Sequence, residues 1–106
     1  MFFYIFKGDG NSVYSPEFRR GGLEALFACL ILQVLTSPTL NITIEGRAED
    51  GVTWSTVGGF ASITTTGAKS VSLATLPQIL RYKFDVTGAS DTSGVAIQLY
   101  SPQWRD

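Results

Sequence analysis

The chain of 106 residues has no histidine, one cysteine and one methionine, and only 16% of its residues are charged. Each shortage excludes something. Without histidine there is no Ser-His-Asp or Cys-His nucleophile system and no imidazole metal site. The single cysteine, Cys29, can form neither an internal disulfide nor a zinc knuckle. Eight Lys and Arg against nine Asp and Glu leave a net charge of −1. No basic cluster reaches the density that nucleic acid or an anionic membrane requires. Soluble domains carry about 25% charged residues, so this surface is short of charge. Apolar residues make up 44% of the chain and about a fifth is Ser or Thr, which argues against disorder. The length suits one domain, residues 1–106, burying roughly two-thirds of the surface of the unfolded chain.

Long hydrophobic runs are also missing. Met1 to Phe6 is apolar but lacks a basic n-region and stops at Lys7-Gly8-Asp9-Gly10, too short for a signal-peptide core. The run from Leu23 to Leu35 falls short of the ~18–20 residues that cross a bilayer. A soluble protein made in a reducing cytosol is the expectation. Asn41-Ile42-Thr43 then reads as a polar residue on an outer strand face, not as a glycosylation site.

What is present is a period of two. Leu40 to Glu45, Leu80 to Thr87 and Val95 to Leu99 alternate apolar and polar residues, with shorter versions at Val52-Thr53-Trp54-Ser55 and Val71-Ser72-Leu73. Each reads as a strand with one face on a core and one in water. Turn clusters such as Glu49-Asp50-Gly51, Thr66-Gly67 and Gly88 through Gly94 recur at a spacing of about eight to twelve residues, as in sandwiches and jelly rolls. The expected fold is all-β, an antiparallel β-sandwich of jelly-roll type with about eight strands. Asp50-Gly51 suits a type I′ hairpin turn, which would join residues 39 to 57 into one hairpin with Trp54 toward the core.

Two segments are apolar on both faces. Leu23 to Leu35 fits a helix by its Leu and Ala content, or a central strand covered on both sides; the β pattern around it favours the strand. In the N-terminal strand Phe2, Tyr4 and Phe6 share one face and Phe3 and Ile5 the other. Such a strand is either central in its sheet or covered by another subunit, and a thin sandwich favours the subunit contact.

Candidate chemistry is sparse. Glu49-Asp50 falls on the hairpin tip, and Glu45 and Asp85 lie on polar strand faces, where neither carboxyl would be raised for acid–base work. Cys29 sits in the most apolar stretch and reads as a small buried hydrophobe. Asp9-Gly10-Asn11 lacks the later ligands of a calcium loop, and Gly21-Gly22 and Gly58-Gly59 lack the frame of a phosphate loop. No catalytic residue, metal or cofactor is expected.

Two segments look like contact surfaces. Tyr14-Ser15-Pro16-Glu17-Phe18-Arg19-Arg20 precedes a Gly-Gly joint, and Tyr100-Ser101-Pro102-Gln103-Trp104-Arg105 closes the chain; both read Tyr-Ser-Pro, then an aromatic and Arg. Aromatics and Arg are enriched at interface hot spots. The expected anchors are Phe2, Tyr4, Phe18, Arg19, Arg20, Trp104 and Arg105. Trp104, near the chain end, is tied down either by its own domain or by a partner.

Two families are resembled. Glu49 through Val57, with its Asp-Gly-x-x-Trp, followed by Leu80-Arg81-Tyr82-Lys83-Phe84, is similar to discoidin-type jelly-roll modules, which implies carbohydrate binding. The short first strand, the Phe18-Arg19-Arg20-Gly21-Gly22 joint, the long apolar strand, the Asp-Gly-x-x-Trp hairpin, Leu80 to Val86 and the Pro-x-Trp-Arg end together resemble small β-sandwich decoration, or cement, proteins of tailed phages. That resemblance covers more of the chain. It implies a non-enzymatic virion protein, made in the host cytoplasm and seated on the capsid exterior. Its partners would be the major capsid protein and further copies of itself, as dimer or trimer, and neither nucleic acid nor membrane.

Overall fold

The computed structural model describes residues 2–7, 12–35, 39–87 and 94–105, and these form strands only. In chain order they are β1 (Phe2–Lys7), β2 (Val13–Tyr14), β3 (Phe18–Arg19), β4 (Glu24–Leu35), β5 (Thr39–Arg47), β6 (Ser55–Ile63), β7 (Gly67–Leu73), β8 (Ile79–Thr87), β9 (Gly94–Leu99) and β10 (Gln103–Arg105). All pairings are antiparallel. The first sheet runs β1–β9–β4–β7, and β10 continues the line of β9 along the same edge of β4. The second runs β8–β5–β6, with β2 and β3 in one line along the outer edge of β8. Counting each interrupted line as one strand leaves eight strands, four to a sheet, with the chain crossing between sheets as a jelly roll requires.

The alternation read from the sequence sets which residues face inward. Leu40, Ile42 and Ile44 of β5, Leu80, Tyr82, Phe84 and Val86 of β8, and Val95, Ile97 and Leu99 of β9 are buried between the sheets. Ala25, Phe27, Cys29 and Ile31 of β4 face them from the first sheet. Each large apolar side chain contributes about 1.5–3 kcal/mol on burial.

The stretch 23–35 is a strand, and a central one, between β9 and β7. The expectation that both its faces are covered does not hold. Its odd-numbered residues up to Ile31 enter the core, while among the described residues no third layer packs on the other face. A register shift between Ile31 and Gln33 leaves Leu32 as the extra, 46% exposed residue.

The hairpin joining β5 to β6 also departs from expectation. Its turn is Ala48–Gly51, closed by the Gly51 amide donating to the Ala48 carbonyl at 3.0 Å. Neither Asp50 nor Gly51 has a positive φ, so it is not a type I′ turn. Strand pairing resumes only at Gly46 opposite Ser55. Residues 48–54 form an arm that returns over the outer face of the second sheet. Trp54 therefore lies outside the core, with the guanidinium groups of Arg81 and Arg47 4.1 and 5.2 Å from its ring. On its other side Arg81 lies 4.2 Å from the ring of Tyr14, and its Nε donates to Glu45 Oε1 at 2.9 Å. A desolvated Arg between two rings and a carboxylate anchors the arm by cation–π attraction and charge-assisted hydrogen bonding.

Candidate functional site: an uncharged sheet face and an aromatic cleft

The outer faces of the two sheets differ in kind. On the second sheet, cross-strand pairs set Glu45 beside Arg81, Thr43 beside Lys83 and Asn41 beside Asp85. On the first, β4 presents Leu26, Ala28 and Leu30, paired with Ser72, Ser70 and Ala68 of β7. Leu30 is also paired with Gln98, and Gln33 with Ala96, of β9. None of these positions is charged. The backbone register of β1 sets Phe3 opposite Gln98 and Ile5 opposite Ala96. Among the described residues, charge returns at one end of this face, where Arg105 pairs with Glu24.

Register settles the position of β1. It is an edge strand paired with β9 alone among the described strands, not a central one. Two of the expected anchors, Phe2 and Tyr4, stand opposite the core residues Leu99 and Ile97; their side chains lie outside the described residues.

Phe18 and Trp104 meet at one end of the sandwich because both Tyr-Ser-Pro segments are bulges. Between Tyr14, opposite Lys83, and Phe18, opposite Leu80, the edge strand has four steps to three on β8. Between Leu99, opposite Cys29, and Gln103, opposite Leu26, the β9–β10 line likewise has four steps to three on β4. Each extra residue flips the faces that follow. Tyr14 stays outside on Arg81 while Phe18 turns inward, and after Leu99 it is Trp104, not Gln103, that turns inward. Proline fits both places, since an edge bulge has no ladder bond for the missing N–H. At the first bulge Ser15 repairs the ladder: its amide donates to the Tyr82 carbonyl at 2.9 Å and its Oγ accepts from the Tyr82 amide at 2.8 Å.

The two inward rings meet. Phe18 and Trp104 lie edge-on with centroids 6.4 Å apart, Phe18 is 5.6 Å from Tyr82, and Phe27 backs both Tyr82 (6.3 Å) and Trp104 (6.1 Å). Such pairs contribute about 0.5–1.5 kcal/mol each beyond area burial. Trp104 is thus tied down by its own domain. Above the rings opens a cleft of about 300 Å³, walled by Ser15-Pro16-Glu17 on one side and Tyr100-Ser101-Pro102 on the other.

The arginines separate. Arg19 is exposed and pairs with Glu49, whose carboxyl is held below its ordinary range by that hydrogen bond and charge. Arg20 is half-buried, and its guanidinium donates to the Leu76 carbonyl, a structural tie rather than a free anchor. Arg105 is exposed on β10, at the charged end of the first sheet. Glu17, at the cleft rim, accepts from Arg47 Nη2 at 3.1 Å. Cys29 is fully buried, and desolvation pushes its thiol up to about 11, in keeping with a small core residue.

No protein-family model and no curated protein matches this chain.

Reading the sequence missed the uncharged face as a unit. Its signal was the double-faced apolarity of residues 23–35; in a two-layer sandwich one face of every strand is outward, and only the pairing of β4 with β7 and β9 shows which neighbours share that face. It missed Tyr100 as a cleft residue too, because the facing of the two bulges is a tertiary fact.

Proposed function

We propose that this chain is a non-enzymatic virion structural protein, an auxiliary decoration or cement protein seated on major capsid protein subunits. The observation that carries the reading is the uncharged outer face of the first sheet, set against the charged outer face of the second. Three strands, β7, β4 and β9, about 4.8 Å apart and uncharged over some eight residues, make a face of roughly 380 Å². That is about half of the ~800 Å² a standard interface takes from each partner. Among the described strands β1 pairs with β9 alone, and along its other edge a partner strand extends the sheet. A cement protein acts by adding buried area across seams between shell subunits. The uncharged face supplies the desolvated centre of such a contact, and Glu24 and Arg105 a charged rim at one end. The copies assemble as dimers or trimers.

The test is co-sedimentation with virus particles purified from the source of the gene. The wild type pellets with them, whereas Leu30→Lys, which sets a charge in the middle of the face, stays in the supernatant with unchanged circular dichroism. A wild type absent from the particles, or a Leu30→Lys variant that binds as well, overturns the reading. Size-exclusion chromatography with light scattering gives the assembly state, and a strict monomer removes the oligomer from it.

A further inference from the structure

We propose that the strand which extends the first sheet along β1, a contact resting on the function proposed above, is β1 of a second copy, paired antiparallel about a two-fold axis at Ile5. Every other edge among the described strands carries a device against pairing. β7 sets Lys69 at a core-facing position, opposite Cys29. β6 contains Gly58-Gly59 and twice slips register against β5. The β2–β3 line is broken by the bulge at Pro16, and β10 is three residues long. β1 has six residues in unbroken register with β9, without proline or glycine, and its one charge is Lys7 at the end.

Backbone direction decides which residues do the pairing. The Tyr100 amide donates to the Ala28 carbonyl at 3.1 Å. Even-numbered residues of the β9 line therefore turn their N–H and C=O toward β4, and odd-numbered ones toward β1. Phe2, Tyr4 and Phe6 stand opposite Leu99, Ile97 and Val95 and close the ladder with β9. Phe3, Ile5 and Lys7, opposite the even-numbered Gln98, Ala96 and Gly94, turn their backbone groups to the outer edge.

That edge is complementary to itself. With Ile5 opposite Ile5 of the second copy, Phe3 faces Lys7 and Lys7 faces Phe3. Each outward N–H and C=O then finds a counterpart, and the two lysines stay apart, whereas like charges directly opposite would repel. Within β1, a shift of the axis in either direction leaves Phe3 or Lys7 without a counterpart. Such an axis stands perpendicular to the sheet. Strands run β7–β4–β9–β1 through one copy and in reverse order through the other, with both uncharged faces on one side. Together those faces approach the ~800 Å² that a standard interface takes from one partner. Because the other edges are guarded, the assembly closes at two copies instead of growing into a fibre.

The experiment joins size-exclusion chromatography with light scattering to cysteine cross-linking of the full chain. The wild type scatters with the mass of two chains. Ile5→Pro removes one outward N–H and no bond to β9. It scatters with the mass of one chain and keeps its circular dichroism spectrum, while Leu30→Lys stays a dimer. The Cα atoms of the Ile5 pair lie about 5.5 Å apart, within disulfide reach, so mild oxidation links Ile5→Cys into a covalent dimer. Lys7→Cys, whose two copies lie about 14 Å apart along the strands, does not cross-link. Nor does the wild type, whose Cys29 is fully buried. A monomeric or trimeric wild type overturns the proposal, as does a folded Ile5→Pro variant that stays dimeric. Lys7→Cys cross-linking as readily as Ile5→Cys overturns it too, and that comparison decides even where Ile5→Pro does not fold. A dimer absent from virus particles overturns the capsid reading alone, and a monomer that pellets with them the β1 pairing alone.

Discussion

Gly21 packs against the indole of Trp104: a β-carbon on Gly21 would lie 2.6 Å from Cδ1, 2.7 Å from Cγ and 2.9 Å from Cδ2. The similar distances to three ring atoms place Gly21 over the ring. Next to it, a β-carbon on Gly22 would lie 2.3 Å from the Arg105 carbonyl oxygen. The Gly-Gly joint is where the chain passes beside β10 on its way into β4, and only the smallest residue leaves room. Gly21→Ala is expected to displace Trp104 and destabilise the fold by about 1–3 kcal/mol, the range for overpacking. At this chain length each kcal/mol lowers Tm by about 4–8 °C. Gly22→Ala should cost more, because the atoms it meets are backbone and cannot swing away. An unchanged Tm for Gly21→Ala would show that Trp104 does not lie on the joint.

Arg47 organises the arm 48–54. Its Nη1 donates to the carbonyls of Ala48 (3.2 Å), Glu49 (3.2 Å) and Gly51 (2.9 Å), while Nη2 reaches Glu17. The arm so held presents Val52 90% exposed. Lysine has neither the planar fork nor the reach to serve these acceptors together. Arg47→Lys should therefore lower stability by about 1–3 kcal/mol and open the 48–54 segment to limited proteolysis. A variant that resists protease like the wild type would count against this role.

Gly51 gives the opposite expectation. Its φ is not positive, and the nearest atom to an added β-carbon is 3.5 Å away, ordinary contact. Gly51→Ala should be neutral or raise stability by up to about 1 kcal/mol, by restricting the unfolded chain. A large loss on thermal melting would restore the type I′ turn that Asp-Gly suggests.

Cys29 links stability to alkaline pH. Its folded thiol titrates near 11, above its ordinary value, because burial disfavours the thiolate. A raised folded value means that the contribution is full below the unfolded pKa of about 8.5. It fades as pH rises toward 11, while only the unfolded chain has lost its proton. Comparing wild type with Cys29→Ala isolates this contribution from the lysines and tyrosines. The wild type should lose on the order of 1–3 kcal/mol more between pH 8 and 11. Parallel pH profiles would show that the thiol does not report on burial.

Much of the fold is legible in the alternation of residues. Leu40 to Glu45 and Leu80 to Thr87 read as strands with known inner faces, and the same residues are buried in the structure. Local pattern works there because side-chain direction has a period of two wherever the ladder is regular. It fails where the ladder slips. Trp54 follows an alternating run, yet the arm before it is unpaired, so parity carries no information and the ring lands on Arg81. Phe18 and Trp104 turn inward for the same reason in reverse, each placed by a bulge that proline accommodates but does not by itself announce.

By itself, then, the sequence determined the class of fold and the inner face of each regular strand, because hydrophobic burial acts on every residue locally and with a fixed period. Its lack of histidine left no imidazole for catalysis or metal binding, a matter of composition alone. Strand order was decided only by tertiary structure. It put β1 at an edge among the described strands, set β4 between β7 and β9, and brought two distant Tyr-Ser-Pro segments to one end of the sandwich. Those outcomes depend on which strands pair over long separations, which one strand's alternation does not encode.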